Sequence, residues 1–317
     1  MILWSLCVAA LAAAAPADTT TTDSTAADSL PWRLVALAPL AETGDGRGQV
    51  LEPAGLAVDA FGRVYVSDAA LHRLQWFDRN GRLLGEAGGL GSDPGQLRRP
   101  GSVTPMGAAR VAVLDRENRR IVTYDLFGRW LGAIDLASDD VTSAVGAIDP
   151  IAMASDRGGA LYVADATRDR ILVLDFEGVL QRTLDRGVAG TVFRGLRALA
   201  ATPRGELITS EVVGSRIQRL DSGGRSVASW SVPWRASVRG AGILAVAADD
   251  SGRVAVVDEA AGALWVFDVA GRALAHLGGL AAPRAVAFGA GGALLVAETT
   301  PGRVRRFQRA PAPDPSR

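Results

Sequence analysis

Lysine is absent from this chain: all 34 of its basic residues are arginine, and 34 acidic residues balance them. Schiff-base chemistry, which needs a lysine amine, is thereby excluded. A formal net charge of zero also removes the global field on which non-specific nucleic-acid binding relies. The plain explanation of an arginine- and alanine-rich composition is a GC-rich genome, not selection for guanidinium chemistry. Cysteine is reduced to Cys7, and histidine to His72 and His276. No apolar run reaches the ~20 residues that span a bilayer.

The longest such run, Ile2 to Ala15, ends in Ala15-Pro16-Ala17. Its length and small-residue end fit a secretory signal over residues 1–17. The n-region Met1-Ile2-Leu3-Trp4 carries no Lys or Arg, which fits a start codon placed a few codons late. Cys7 lies inside the run, and Trp4-Ser5-Leu6 before it does not form a lipobox. An exported mature protein, periplasmic or secreted, is expected, with no thiol, no disulfide and no membrane span. Residues 18–30 are rich in Thr and are expected to be a disordered spacer, as are residues 310–317 a disordered tail.

What is present is a repeat. Six carboxylates each follow a short apolar run: Asp68, Asp115, Asp165, Glu211, Asp258 and Glu298, spaced by 47, 50, 46, 47 and 40 residues. Six residues before each lies Gly62, Gly159, Gly205, Gly252 or Gly292, with Ala109 in the second copy. Ten after lies Asp78, Asp125, Asp175, Asp221 or Asp268, and thirteen after lies Gly81, Gly128, Gly178, Gly224 or Gly271. The apolar runs, such as Val64-Tyr65-Val66 and Leu161-Tyr162-Val163, do not alternate with polar residues, so they predict strands covered on both faces. A following strand ends in Asp-x-x-Gly, a hairpin turn. With an outer strand such as Arg82 to Ala87 and an inner one after Pro53, Pro100, Pro150 or Pro283, each copy becomes a four-stranded blade.

The sixth copy stops after its third strand, and Pro311 replaces the turn glycine. Trp32 to Leu37 precedes the first copy and is predicted to supply the missing outer strand, joining the termini and removing open edges. The expected fold is therefore all-β, a six-bladed β-propeller over residues 31–309, closed by an N-terminal strand.

The segment Val66-Ser67-Asp68-Ala69-Ala70-Leu71-His72-Arg73-Leu74-Gln75-Trp76-Phe77-Asp78-Arg79-Asn80-Gly81 resembles the core of an NHL repeat, as does Gly88 to Gly101 after it. The resemblance covers Trp32 to Gln308 and is strongest in the first blade. It implies a scaffold with many uses, so it speaks to fold and not to activity. RNA binding, known for some NHL propellers, needs a basic aromatic face in a compartment that holds RNA; export and zero net charge count against it. Amidating lyases that resemble NHL proteins use several zinc-binding histidines, more than this chain has. Lactonase-type propellers use calcium held by Asp, Glu and Asn; here the only Asn residues are Asn80 and Asn118.

Two charge patterns compete for function. Asp68/Arg73, Asp115/Arg120, Asp165/Arg170, Glu211/Arg216 and Glu298/Arg303 recur five residues apart, and are read as hairpin-closing ion pairs because a binding site needs blades to differ. Asp258, followed by Ala263 where the arginine would be, is the odd member and a functional candidate. The irregular connections between blades carry the second pattern. Arg98, Arg99, Arg194, Arg197, Arg235, Arg239 and Arg284 lead into four of the blades. Glu52 and Asp149, with Asp135, Asp139 and Asp140 upstream, form an acidic notch at the other two. Trp234, between Pro233 and Arg235, is the one tryptophan read as a contact; Trp76, Trp130, Trp230 and Trp265 are read as packing. The function expected is a monomeric, non-catalytic module that binds a protein, peptide or glycan, anionic partners included, with no cofactor, metal or nucleic acid. The alternative is a calcium-type hydrolase or lyase acting at the central channel.

Overall fold

The computed structural model describes residues 30–185, 192–202, 204–233 and 242–311. The expected leader, nearly all of the spacer and residues 312–317 lie outside these. Six four-stranded antiparallel sheets stand in a ring around a central channel. Strand β1 (Trp32–Ala41) opens the chain. Blade 1 follows as β2 (Pro53–Val58), β3 (Val64–Asp68), β4 (Arg73–Phe77) and β5 (Leu83–Gly88). Blade 2 is β6 (Pro100–Met106), β7 (Arg110–Asp115), β8 (Arg120–Asp125) and β9 (Trp130–Asp135). Blade 3 is β10 (Pro150–Ser155), β11 (Leu161–Asp165), β12 (Arg170–Leu174) and β13 (Leu180–Leu184). Blade 4 is β14 (Leu196–Ala201), β15 (Leu207–Glu211), β16 (Arg216–Leu220) and β17 (Ser226–Ser231). Blade 5 is β18 (Ile243–Ala248), β19 (Val254–Asp258), β20 (Ala263–Phe267) and β21 (Ala273–Leu277). Blade 6 is β22 (Pro283–Phe288), β23 (Leu294–Thr299) and β24 (Gly302–Pro311), completed by β1.

The burial of each strand follows from its rank in the blade. The second strands β3, β11, β15 and β19 are buried at every position, as expected for runs without alternation. The outer strands β5 and β17 alternate half-buried with exposed positions, because only one of their faces meets a neighbouring blade. The core lies between blades: Tyr65, Leu74 and Trp76 of blade 1 pack with Val111, Val113 and Tyr124 of blade 2. Packing this close needs the turn glycines. Gly128 has φ +82°, and a Cβ there would lie 2.4 Å from the Trp76 ring of the preceding blade, so only glycine fits on both counts.

Ring closure is as expected from the sequence and somewhat longer. Strand β1 pairs antiparallel with β24 from Trp32↔Pro311 to Ala41↔Val304. Pairing thus continues through Ala310 and Pro311, two residues into the segment expected to be a tail.

The acidic notch is partly dissolved. Asp139 and Asp140 occupy the first turn of a short helix, α1 (Asp139–Val145), with Ser138 as its N-cap, where negative charge offsets the helix dipole. Asp135 accepts a local hydrogen bond from Ala137 N–H at 2.8 Å. None of the three lines the channel.

Candidate functional site

The six repeated carboxylates sit at the end of each second strand, and all are buried, with exposures of 0–2%. Their partners explain the repetition. Asp68 accepts the N–H groups of Leu51 (2.8 Å) and Glu52 (3.2 Å). Asp115 accepts from Arg98 N–H (2.6 Å), Asp165 from Asp149 (2.9 Å), Glu211 from Arg194 (2.7 Å) and Glu298 from Ala281 (2.7 Å). Each donor lies 16 or 17 residues upstream, in the connection that leads into the same blade. The carboxylate is thus a tether that fixes the incoming loop against its own blade, by charge-assisted hydrogen bonds.

Arginine completes four of these tethers. Asp115–Arg120 and Asp165–Arg170 meet at 2.8 Å, Glu211–Arg216 at 2.5 Å, and Glu298 pairs with Arg303. The expected Asp68–Arg73 pair does not form. These residues face each other across β3 and β4, but Arg73 donates to the carbonyls of Gly46 (2.7 Å) and Gln49 (2.9 Å) and reaches Glu86 (3.4 Å). Asp68 is already saturated by four backbone N–H groups, those of Leu51, Glu52, Ala70 and Leu71. Asp258 is 2% exposed and accepts from Ala261 N–H at 3.0 Å. It is not among the side chains that line the channel. Burial raises its pKa above 3.8, against the lowering effect of those backbone hydrogen bonds.

Two further side chains lock neighbouring blades. His72 Nδ1 accepts the N–H of Arg99 at 3.0 Å, and Asp169 accepts those of Gly195 (3.0 Å) and Leu196 (2.9 Å). Both occupy the same place, just before the third strand, in the left-handed region with φ of 53° and 47°.

The channel itself has a volume of about 750 Å³, within the range of small-molecule sites. Its length is that of the inner strands, six or seven residues each, about 20 Å. Among the described residues, all charged side chains that line it gather at one end: Arg99, Arg116, Arg119, Arg197 and Arg284, with Glu52, Glu117 and Asp149. They lie beside the first residues of the inner strands or in the β7–β8 connection, which strand register puts at the same end. Below this mouth the bore is lined mainly by apolar side chains of the inner strands, among them Leu56, Val103, Met153 and Val246, with Ser102, Thr104 and Ser155 as polar members.

The inner strands also explain how arginines reach the axis. Each carries a register shift directly after its first residue, as between Leu196 and Ala198 or Pro283 and Ala285. The extra residue at those two shifts is Arg197 and Arg284, and a bulge re-aims its side chain. Arg99 is neutralised: it binds Glu52 at 2.7 Å and lies 3.7 Å from Glu117. By contrast, Arg116, Arg119, Arg197 and Arg284 make no side-chain hydrogen bond or ion pair with the described residues, and neither does Asp149.

Of the candidates read from sequence, the mouth therefore brings together Arg99, Arg197 and Arg284 with Glu52 and Asp149. Arg98 and Arg194 are exposed two residues before their inner strands and outside the channel lining; their backbone N–H groups are what the blade uses. Trp234, Arg235 and Arg239 lie outside the described residues. Arg116 and Arg119 were missed because they sit inside the repeat. The signal was positional: the residue after the repeated carboxylate is Ala69, Ala166, Val212 and Thr299 in four other blades, but Arg116 in the second.

Among the described residues, no three His, Cys, Asp or Glu side chains gather closely enough to hold a metal ion, and no helix is long and apolar enough to cross a membrane.

No family model matches the chain. A stretch of 142 residues, 43% of this chain, is 28% identical to the protein brain tumor of Drosophila melanogaster, of which it spans 13%. Virginiamycin B lyase from Staphylococcus aureus superposes with a TM-score of 0.57 over 90% of both chains at 16% identity. A gluconolactonase from Xanthomonas campestris does so with a TM-score of 0.61, over 92% of this chain and 94% of its own, at 17% identity. At these identities the likeness is one of fold: this chain is a six-bladed β-propeller.

Proposed function

We propose that the chain is an exported NHL-type propeller that binds a protein, peptide or glycan partner, without catalysis, through the loop-rich face at the channel mouth. The observation that carries this reading is the set of four arginines at the mouth, Arg116, Arg119, Arg197 and Arg284, without a side-chain partner among the described residues. Other guanidinium groups are absorbed by tethers or by turns such as Asp125–Arg129 and Asp249–Arg253, and those that have no partner elsewhere, such as Arg98, Arg110, Arg194 and Arg225, stand exposed outside the channel lining. Unpaired charge in a concave site attracts a ligand of opposite sign, so the partner is acidic. Resemblance of the repeat to NHL sequences and the apolar leader support the family and the export. The hydrolase or lyase alternative calls for carboxylates within the bore, whereas the lining carboxylates stand at the mouth among arginines.

The test is capture of an envelope-fraction partner by immobilised protein and by the fourfold variant Arg116→Ala/Arg119→Ala/Arg197→Ala/Arg284→Ala. A control, Phe127→Ser, alters an 87%-exposed side chain in the β8–β9 turn, at the opposite end. A partner retained by wild type and the control, released by salt, and lost from the fourfold variant is the expected result. Capture that survives the fourfold change would sink the proposal.

A further inference from the structure

The unpaired arginines are not spread evenly around the mouth. Arg116 and Arg119 come from blade 2, Arg197 from blade 4 and Arg284 from blade 6. These are alternate blades, so guanidinium groups approach the axis from three directions about a third of a turn apart. Blades 1 and 3 contribute Glu52, already closed onto Arg99, and the unpaired Asp149. Among the described residues five arginines line the mouth against three carboxylates, Glu52, Glu117 and Asp149, so the mouth is net positive in a chain whose net charge is zero.

Depth fixes where an anion can rest. Among the described residues no charged side chain lines the bore beneath the mouth, and an ion moved into it would lose solvation without a compensating partner. At the rim it meets the planar donor forks of arginine, which suit carboxylate and phosphoryl oxygens. One oxyanion oxygen pair engages one guanidinium; arginines arriving from three sides need a ligand whose charge also points in several directions.

We propose that the channel mouth is a site for a compact multivalent oxyanion, a di- or tricarboxylate or a phosphoryl group, held between Arg197, Arg284 and the Arg116/Arg119 pair. The proposal rests on the binding function above and names the chemistry that the mouth recognises. Asp149 stands within the same ring as the repulsive element, setting a limit on how many anionic groups the mouth accepts.

The experiment is isothermal titration of the purified chain at low salt with tricarballylate, pyrophosphate and acetate. One equivalent of tricarballylate or pyrophosphate is expected to bind at least tenfold more tightly than acetate; the stronger of the two identifies the source as carboxylate or phosphoryl. Arg197→Ala/Arg284→Ala should weaken that binding tenfold or more. Asp149→Asn should strengthen it several-fold, an effect that a damaged fold would not give. No saturable binding of either multivalent anion, equal binding of acetate, or binding indifferent to the arginine pair would each overturn the proposal. Its failure is separable from that of the partner reading. If the multivalent anions do not bind but partner capture still depends on the four arginines, the site inference alone falls. If they bind as expected while capture survives the fourfold change, the partner reading falls instead.

Discussion

Replacing Asp165 by asparagine keeps the size of the side chain and removes its charge from a wholly buried position. The carboxylate accepts the N–H groups of Asp149 (2.9 Å) and Thr167 (3.0 Å) and the Nε–H of Arg170 (2.8 Å). With its oxygen in the place of Oδ1, asparagine can still accept from both backbone N–H groups, but it then turns its amide NH2, a donor, toward a guanidinium that is 6% exposed. Stranding a buried charge costs about 3–5 kcal/mol. Arg170 keeps its bond to the Val145 carbonyl at 2.7 Å, which places the expected loss near the lower end, about 3 kcal/mol. Glu211→Gln should cost less, about 1–2 kcal/mol, because Arg216 is 30% exposed and water can take up its charge. Asp258→Asn, which strands no arginine, should cost least. Equilibrium urea unfolding, read by tryptophan fluorescence, ranks the three. A loss below 1 kcal/mol for Asp165→Asn, or one no larger than that of Asp258→Asn, would refute the tether account.

Three further outcomes follow from the same geometry. The carboxyl of Asp258 is held above its ordinary value of 3.8 by burial, so the folded state holds its proton more firmly than the unfolded chain. Its ionisation then subtracts stability as pH rises through 3.8 and upward; the unfolding midpoint of Asp258→Asn relative to wild type should improve between pH 3.5 and 7, and a flat difference would contradict this. Asp78 and Asp125 run the other way: hydrogen bonds from Arg82 and Arg129 N–H, respectively, lower their pKa, so their contribution is present above 3.8 and lost as pH falls through their folded values. Removing β1 by starting the chain at Glu42 exposes β24 as an open edge; size-exclusion chromatography should show oligomers or aggregates, and a stable monomer would contradict the clasp.

The blade count, the strands and the closing strand were legible because they rest on local physics. Val64-Tyr65-Val66 can only be a doubly covered strand, and Asp78-x-x-Gly81 can only turn: Asp78 accepts from the N–H groups of Asn80 and Arg82, and Gly81 takes φ +96°. The carboxylate role was half legible. A spacing of five suggested a side-chain pair, whereas the partner shared by five of the six carboxylates is a backbone N–H 16 or 17 residues upstream, which carries no residue-type signal. Arg73 shows the cost of that: its neighbour Asp68 is filled by backbone donors, so it binds carbonyls instead. The mouth was the least legible part. Arg98 and Arg99 are adjacent in sequence, yet only Arg99 lines the channel, because which side of the connection faces the axis depends on the tether and the bulge together.

The central claim is that the repeated charges hold the blades and the unpaired arginines bind a ligand. The unfolding midpoint of wild type and of the Arg116→Ala/Arg119→Ala/Arg197→Ala/Arg284→Ala variant, with and without tricarballylate, tests both halves at once. Without ligand the two midpoints should agree, since no internal partner is lost. With ligand at about a hundred times its dissociation constant, wild type should gain about 2.7 kcal/mol, and the variant nothing. A variant that is already much less stable without ligand, or one that gains as wild type does, would contradict the account.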